Sequence, residues 1–168
     1  MRAIRRSTEG SYLIEFAFVL PFLLLMLVGT MEFSLAFVLR GKLTNAAREG
    51  ARKAVAQPTP MAEDVGKAVE KFLQTAVDSS ISKGPCTGAL PSWTCNYSNG
   101  LGVTGEIKIE RPVALTDTPG TLCCARVTVS SSYEWHLFNQ VLSLFNFGGS
   151  GGPIALPGTL SSQAVMGM

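Results

Sequence analysis

The sequence predicts an α+β protein in which one long amino-terminal helix precedes a small antiparallel sheet. No charged residue occurs from Phe16 to Met31, and apolar residues resume from Phe33 to Leu39 after the acid Glu32. Two later runs, 106–110 and 126–130, alternate between apolar and polar residues, which is typical of half-buried strands. Helix and sheet are therefore expected in separate parts of the chain.

The composition indicates one ordinary domain with a membrane element. Of the 168 residues 15% are charged, against about 25% in typical soluble domains. The mean hydropathy is +0.27, and the apolar excess lies at the amino end. A net charge of +2 gives no electrostatic reason to expect nucleic acid as a partner.

The apolar stretch predicts a membrane-spanning helix. A helix over residues 11–57, with a span of about 13–39, is long enough for a hydrocarbon core of about 30 Å. Glu15 and Glu32 would lie about 25 Å apart along it, so each acid can lie near one membrane edge. Pro21 removes one helical hydrogen bond and can kink the span.

The basic residues around the span bear on its orientation. Arg2, Arg5 and Arg6 precede it and favour a cytoplasmic amino terminus. The basic residues after the span favour the reverse orientation: Arg40, Lys42, Arg48, Arg52 and Lys53. Because the first flank usually dominates, and cysteines suit an oxidising compartment, the carboxyl half is expected outside the cytoplasm.

The apolar segment has three alternative fates. It can remain as a plain anchor, serve as a secretory signal cleaved at Ser34–Ala36, or be trimmed on the cytoplasmic side just before the span. The signal interpretation leaves Glu15 unexplained and puts its cleavage site after the charged Glu32. Trimming before the span is the interpretation that we develop below.

Beyond the span the helix carries small and apolar residues at helical spacing. They are Leu39, Leu43, Ala46, Ala47, Gly50, Ala51, Ala54 and Val55. Arg48, Arg52 and Lys53 fall largely on another face. The face with the small and apolar residues is either a packing seam against the exported part or against a neighbouring subunit. Alternatively, it is one side of a solvated helix whose basic face lies near lipid headgroups.

Residues 58–168 are expected to form the exported head. Pro58 ends the long helix, and Thr59-Pro60 predicts the start of a second helix that runs to about Val77. Its apolar stripe consists of Val65, Val69, Phe72 and Ala76. Ser79 to Gly102 is rich in Gly, Pro, Ser and Asn and predicts a loop stapled by cysteines.

The remaining head sequence predicts strands and an aromatic run. Besides the two alternating runs, a third strand is expected between Thr159 and Met166. Trp135 to Phe147 is rich in aromatics and Leu, and Gly148 to Gly152 predicts a linker. The aromatic run either completes a small core, which we favour for so small a head, or forms an exposed partner site.

The four cysteines predict disulfides if the head is exported. A bond between the adjacent Cys123 and Cys124 would be strained, because consecutive Cα atoms lie only about 3.8 Å apart. We therefore expect Cys86 and Cys95 each to bond to one of that pair. The spacing contains no CxxC pair and His136 is the single histidine, so no metal site is expected.

No arrangement of residues predicts catalysis. The sequence offers no histidine to serve a nucleophile, no glycine-rich phosphate loop and no acid pair at catalytic spacing. His136, beside Trp135, is explained more simply as a polar tip on an apolar element. We expect no enzyme activity and no cofactor.

The segment from Gly10 to Phe16 resembles the prepilin peptidase site of the type IV pilin superfamily. The resemblance implies cleavage after Gly10, removal of residues 1–10 as a leader, and Ser11 as the new amino terminus. A carboxylate left in hydrocarbon costs about 2.5–3.5 kcal/mol, so Glu15 should find a cation. The freed amine of Ser11 in the same or a neighbouring subunit is such a cation. The alternative is that Glu15 lies at the interface, hydrated among the lipid headgroups, and has no role in assembly. Phe16 and Pro21 fit the same pattern.

The segment after the span resembles the TadE-like family, minor pilins or pseudopilins of the tight-adherence system that builds Flp pili. Glu32-Phe33 is similar to the family's acid-Phe pair. The family's further stretch is matched by Asn45, Ala46, Ala47, Arg48, Glu49, Gly50, Ala51 and Arg52. The major Flp subunit is much shorter and has Tyr where this chain has Phe16, which favours a minor component.

The resemblance implies a pilin-like shape, with the long helix docked on the head. It also implies an inner-membrane protein whose partners are other pilins, the prepilin peptidase and the inner-membrane assembly platform. The alternative is a secreted, disulfide-bonded binding protein, in which Asn96-Tyr97-Ser98 could be a glycosylation site.

Overall fold

The computed structural model describes residues 9–56, 62–100, 102–114, 122–135 and 158–167. The chain divides into two compact units. The first comprises Met1–Leu35 and Trp135–Leu156, and the second comprises Ala36–Glu134 and Pro157–Met168. In the first unit, the described residues are 9–35 and Trp135.

Helix α1 runs from Glu9 to Ala56 and is continuous through Pro21. A run of 48 residues rich in Leu, Phe, Ala and Val has few breakers, and lipid-embedded helices tolerate an internal proline when neighbours satisfy the freed carbonyl. Within the described part of the chain, α1 alone is long and apolar enough to cross a membrane. Its length and composition are compatible with a single-pass anchor.

The second unit contains a short helix and five strands. Helix α2 spans Ala62–Ala76, with Glu63 and Asp64 in its first turn, where the helix dipole favours acids. The strands are β1 Ser82–Ala89, β2 Ser92–Ser98, β3 Thr104–Ala114, β4 Leu122–Ser132 and β5 Thr159–Gly167. They pair antiparallel in chain order, as a meander. The predicted α+β class is confirmed, with strands β3, β4 and β5 close to the predicted positions.

One face of the sheet and the two helices enclose the core of this unit. Ile107 pairs with Val129 and Ile109 with Val127, so their side chains share one face. Onto that face pack the buried residues of the two helices: Leu43, Ala46, Ala47, Ala51 and Ala54 from α1, and Val65, Val69 and Leu73 from α2. The opposite face of β3 carries Glu106, Lys108 and Glu110, so the sheet is covered on one side.

Strand β1 is an edge strand with an irregular register. The pairing with β2 shifts between Lys83 and Cys86, around Gly84 and Pro85. Proline cannot donate to a ladder and is therefore tolerated at an edge or a bulge. The two strands close into a hairpin from Ser82–Ser98 to Ala89–Ser92.

The structure corrects two expectations about the cysteine region. Ser79 to Gly102 is not a stapled loop, because most of it forms the β1–β2 hairpin. Cys86 and Cys95 are bonded to each other, with their Cα atoms 4.1 Å apart, so the predicted bonds to Cys123 and Cys124 are wrong. Hairpin pairing places Cys86 directly opposite Cys95, and this local register decides the partner. The side chain of Cys124 is buried, and that of Cys123 lies outside the described residues.

Several other expectations lie outside the described residues. They concern the leader up to residue 8, the Thr59-Pro60 helix start, His136, the aromatic run beyond Trp135, and the linker Gly148 to Gly152. Trp135 itself is described, and its ring meets that of Phe33 edge to face at a centroid distance of 5.5 Å.

Candidate assembly surface on the long helix

The first turns of α1 present an almost unbroken apolar surface. Tyr12, Leu13, Ile14, Phe16 and Phe18 each have more than half of their surface exposed. Such a run is unstable in water and suits lipid or the apolar helix of another subunit. Glu15 lies exposed in the middle of this surface. A carboxylate at this position needs either the headgroup region or a cationic partner.

The predicted cleavage bond lies within the helix. Glu9 is the first residue of α1, so the backbone of Gly10 and Ser11 is helical. Glycine is a poor helix former, by about 1 kcal/mol relative to alanine, so Gly10 weakens the helix at this bond. An amine freed at Ser11 would lie one helical turn from Glu15.

Pro21 and Glu32 differ from Glu15 in burial. Pro21 is half-buried, and Glu32 is only 3% exposed, although its neighbours Met31 and Phe33 are more than half exposed. The two acids of α1 therefore differ in exposure: the side chain of Glu15 is accessible to another molecule, and that of Glu32 is buried.

The stretch from Asn45 to Arg52 divides into a buried and an exposed face. Ala46, Ala47, Gly50 and Ala51 are buried in the core of the second unit. Asn45, Arg48 and Arg52 are exposed, and Arg52 donates to the carboxylate of Glu49, with Nε 2.9 Å from Oε2. The small residues therefore form the contact with the sheet, and the basic residues remain available on the surface.

Two polar contacts fix the end of α1 on the sheet. The hydroxyls of Thr44 and Ser162 lie 2.7 Å apart and join α1 to β5. Arg111 of β3 donates from Nη1 to the carbonyl of Ala54 at 3.0 Å, which satisfies one of the last carbonyls of the helix. Sequence reasoning did not single out Thr44, Ser162 or Arg111, since neither contact has a local sequence signal.

Two carboxylates of α2, those of Glu63 and Glu70, bind β1, and Glu70 accepts the backbone N–H of Lys83 at 3.0 Å. Glu63 accepts the backbone N–H of Cys86 at 2.9 Å and the ammonium of Lys83 at 2.6 Å. The Lys83 side chain is only 5% exposed, so this ammonium depends on its acceptors. The hydrogen bond from Cys86, aided by that from Lys83, lowers the pKa of the Glu63 carboxyl.

The described residues contain no group of three or more His, Cys, Asp or Glu side chains arranged to hold a metal ion.

A second acidic contact lies on the outer face of the sheet, where Glu110 accepts from Lys108 at 2.8 Å and faces Arg126 at 3.4 Å. The Lys108 hydrogen bond is the main cause that lowers the pKa of Glu110.

Among the described residues, one helix of membrane length, α1, is accompanied by a small α+β unit, and these two features define the class of protein. Residues 10–52 match the family model described as TadE-like protein, so about a quarter of the chain, beginning at Gly10, is a TadE-like region. Neither the curated proteins nor the solved structures yielded a match. The family match supports involvement in the Tad pilus system.

Proposed function

We propose that this chain is a minor pilin, or pseudopilin, for the assembly of Flp pili in the tight-adherence system. One observation carries the proposal: the TadE-like region starts at Gly10 and contains Glu15, an exposed acid on an otherwise apolar helix. Trimming after Gly10 supplies the cation that this acid needs. The trimmed helix then packs against those of other pilins.

In this proposal the amino terminus is cytoplasmic, α1 crosses the inner membrane, and the head is exported. The disulfide between Cys86 and Cys95 supports export, because such bonds persist in oxidising compartments. The partners are other pilins, the prepilin peptidase and the inner-membrane assembly platform. The protein is a substrate of that peptidase and is not itself an enzyme.

The amino terminus of the mature protein tests the proposal directly. In a host that makes Flp pili, intact mass and amino-terminal sequencing should show a chain that begins at Ser11. A Gly10→Val variant should keep Met1, because a side chain before the bond should block the cut, whereas the control Glu9→Gln should still be trimmed. A wild-type chain that begins near Phe37 would indicate a secretory signal, and one that keeps Met1 a plain anchor; either result contradicts the proposal.

A further inference from the structure

One face of helix α2 lies open beside the end of α1. From Asp64 to Ala76 this face is about 18 Å long, and together with Arg52 and Lys53 of α1 it lines a cleft of about 800 Å³. The lining residues of α2 recur at intervals of three and four, as on one side of a helix. Both helix segments belong to the second unit. We call this cleft the interhelical groove.

The bottom of the groove is apolar and only half-buried. Ala68, Phe72 and Ala76 follow one another at intervals of four along α2, and we call them the apolar floor. Phe72 and Ala76 belong to the stripe predicted from the sequence, but the position inside the core is occupied by Leu73, which is 1% exposed. Apolar side chains at the bottom of a cleft suit a ligand that has an apolar side of its own.

Three lysines border the apolar floor and form no ion pair with another described residue. Lys67 and Lys71 are exposed one turn apart on α2, and Lys53 is exposed on α1. Lys53 and Lys67 exert only a longer-range attraction on Glu49 and Glu63. The three ammonium groups are therefore available to an anionic ligand.

The acids that line the groove offset only part of this charge. Glu49 accepts from Arg52, so these two residues form a pair that is neutral as a whole. Asp64 lies at one end of the groove. Three lysines against this one further acid leave the groove positive, and its occupant should carry negative charge.

The headgroups of the membrane that α1 can cross are too distant to be this occupant. The predicted span ends near Leu39, and Lys53 lies about 21 Å further along α1. The headgroup layer adds only about 5–8 Å to each side of the hydrocarbon core. An anion that reaches Lys53 therefore comes from outside that membrane.

The shape of the groove matches a helix. A cleft between two helices receives the ridge of a third, and about 18 Å corresponds to about three helical turns. A polysaccharide would pair with the lysines but would leave the apolar floor uncovered. Neither described helix of a second copy fits, because α1 beyond Leu39 has five basic residues and one acid, and the buried stripe of α2 is part of its own head.

We propose that the interhelical groove binds an acidic amphipathic helix of another protein. The apolar side of that helix lies on the apolar floor, and its carboxylates pair with the three lysines. Binding in the groove requires neither trimming after Gly10 nor a role in pilus assembly, so it can be tested apart from the proposed function.

A designed peptide tests the proposal on the full chain in nonionic detergent micelles. The probe is a fluorescent, side-chain-stapled helix of about 12 residues, with leucines on one side and glutamates beside them. Fluorescence anisotropy, corrected for empty micelles, should show saturable binding. A peptide with lysine in place of each glutamate should bind at least about tenfold more weakly. Equal binding of the two peptides would overturn the proposal.

Variants of the chain locate the binding. Lys67→Gln with Lys71→Gln should weaken binding of the glutamate peptide about fivefold, because two attractive pairs are lost. The matched control is Thr87→Glu with Gln163→Glu, which lowers the net charge equally at two exposed positions on the outer face of the sheet and should leave the affinity unchanged. The hairpin disulfide should persist in every variant. An equal loss in both double variants would indicate a general charge effect and contradict the proposal.

A photoreactive residue at Thr75, exposed on the lining of the groove, tests the natural occupant in cells of the native host. Mass spectrometry should show a linked peptide from another protein, with acids beside apolar residues at helical spacing. The same probe at Gln163 is the control and should not link to that peptide. Links from Thr75 to lipid, to a polysaccharide or to a second copy, or no link above the Gln163 level, would overturn the proposal.

Discussion

Gly50 of α1 lies against Val69 of α2 so closely that the helices have no space for a β-carbon between them. A Cβ built on Gly50 would come within 2.7 Å of Val69 Cγ2, and within 3.1 Å of Val127 Cγ1 on β4. Because valine is stiff at χ1, neither neighbour can turn aside without moving its backbone. This glycine therefore sets how closely α1, α2 and the sheet approach one another.

We expect Gly50→Ala to destabilise the head. Overpacking of a filled core costs about 1–3 kcal/mol, and the gain in helix propensity of up to about 1 kcal/mol offsets part of it. The matched control is Gly41→Ala on the same helix, where no atom lies within 4 Å of the added methyl, and the helix gain should act alone. Chemical unfolding of the full chain in detergent micelles should show a lower midpoint for Gly50→Ala and an equal or higher one for Gly41→Ala. Equal midpoints for Gly50→Ala and the wild type would contradict this packing.

The disulfide can be checked by peptide mass. Trypsin cleaves after Lys83 and Lys108 with no basic residue between them, so both Cys86 and Cys95 fall in one peptide, Gly84–Lys108. Without reduction, this peptide should be lighter by two hydrogens and unlinked to any other. A mass that joins it to the peptide containing Cys123 and Cys124 would restore the pairing expected from the sequence.

Removal of the same disulfide should weaken the head. The bond closes a loop with a sequence separation of 9 residues, for which the loop-entropy model gives about 2.5 kcal/mol. The double variant Cys86→Ser, Cys95→Ser should therefore unfold at lower denaturant than the oxidised wild type. The reduced wild type is the control, and it should unfold close to the double variant.

Stability should fall in acid partly through Glu63. Its pKa is lowered in the folded protein, so its contribution is fully present above the unfolded value of about 4.3 and is lost as the pH falls through the folded value. Glu63→Gln should lower stability at pH 7 and should flatten the acid dependence below about pH 4.5. Unfolding of the wild type and of the variant, measured between pH 7 and pH 3, gives the two slopes. An unchanged slope in Glu63→Gln would argue against the contact with Lys83 and Cys86.

Glu15 should be required for assembly but not for insertion. Glu15→Gln removes the charge that would pair with the amine of Ser11, so membrane-bound protein should remain while pili, counted by electron microscopy, disappear. Glu15→Asp keeps the charge and should retain part of the pili. Normal pilus numbers in the Gln variant would remove the pairing argument.

The periodic parts of the fold were predictable from the sequence, and the hairpin was not. Strands β3 and β4 alternate clearly around Ile107 and Val127, and α2 shows its stripe at Val65 and Val69. Strand β1 contains Gly84, Pro85 and Gly88, so its sequence has the composition of a loop. In the structure most of its residues are exposed. It is a strand because β2 supplies a pairing edge, which is a tertiary effect.

The candidate surface was predictable only where a residue differs chemically from its neighbours in the sequence. The acid Glu15 is visible against its apolar neighbours, and the small residues at 46, 47, 50 and 51 predict close packing. The difference in burial between Glu15 and Glu32 was not visible in the sequence. The contact of Thr44 with Ser162 was hidden as well, because the two residues are separated by 118 positions in the chain.

The irregular edge strand β1 has a consequence for crowding. A straight, regular edge would offer a row of unpaired backbone groups to any neighbouring sheet, and such edges nucleate aggregation. The shift between Lys83 and Cys86, with Pro85 inside it, breaks that row. Concentrated protein is therefore protected at the β1 edge from pairing with the sheet of a neighbouring molecule.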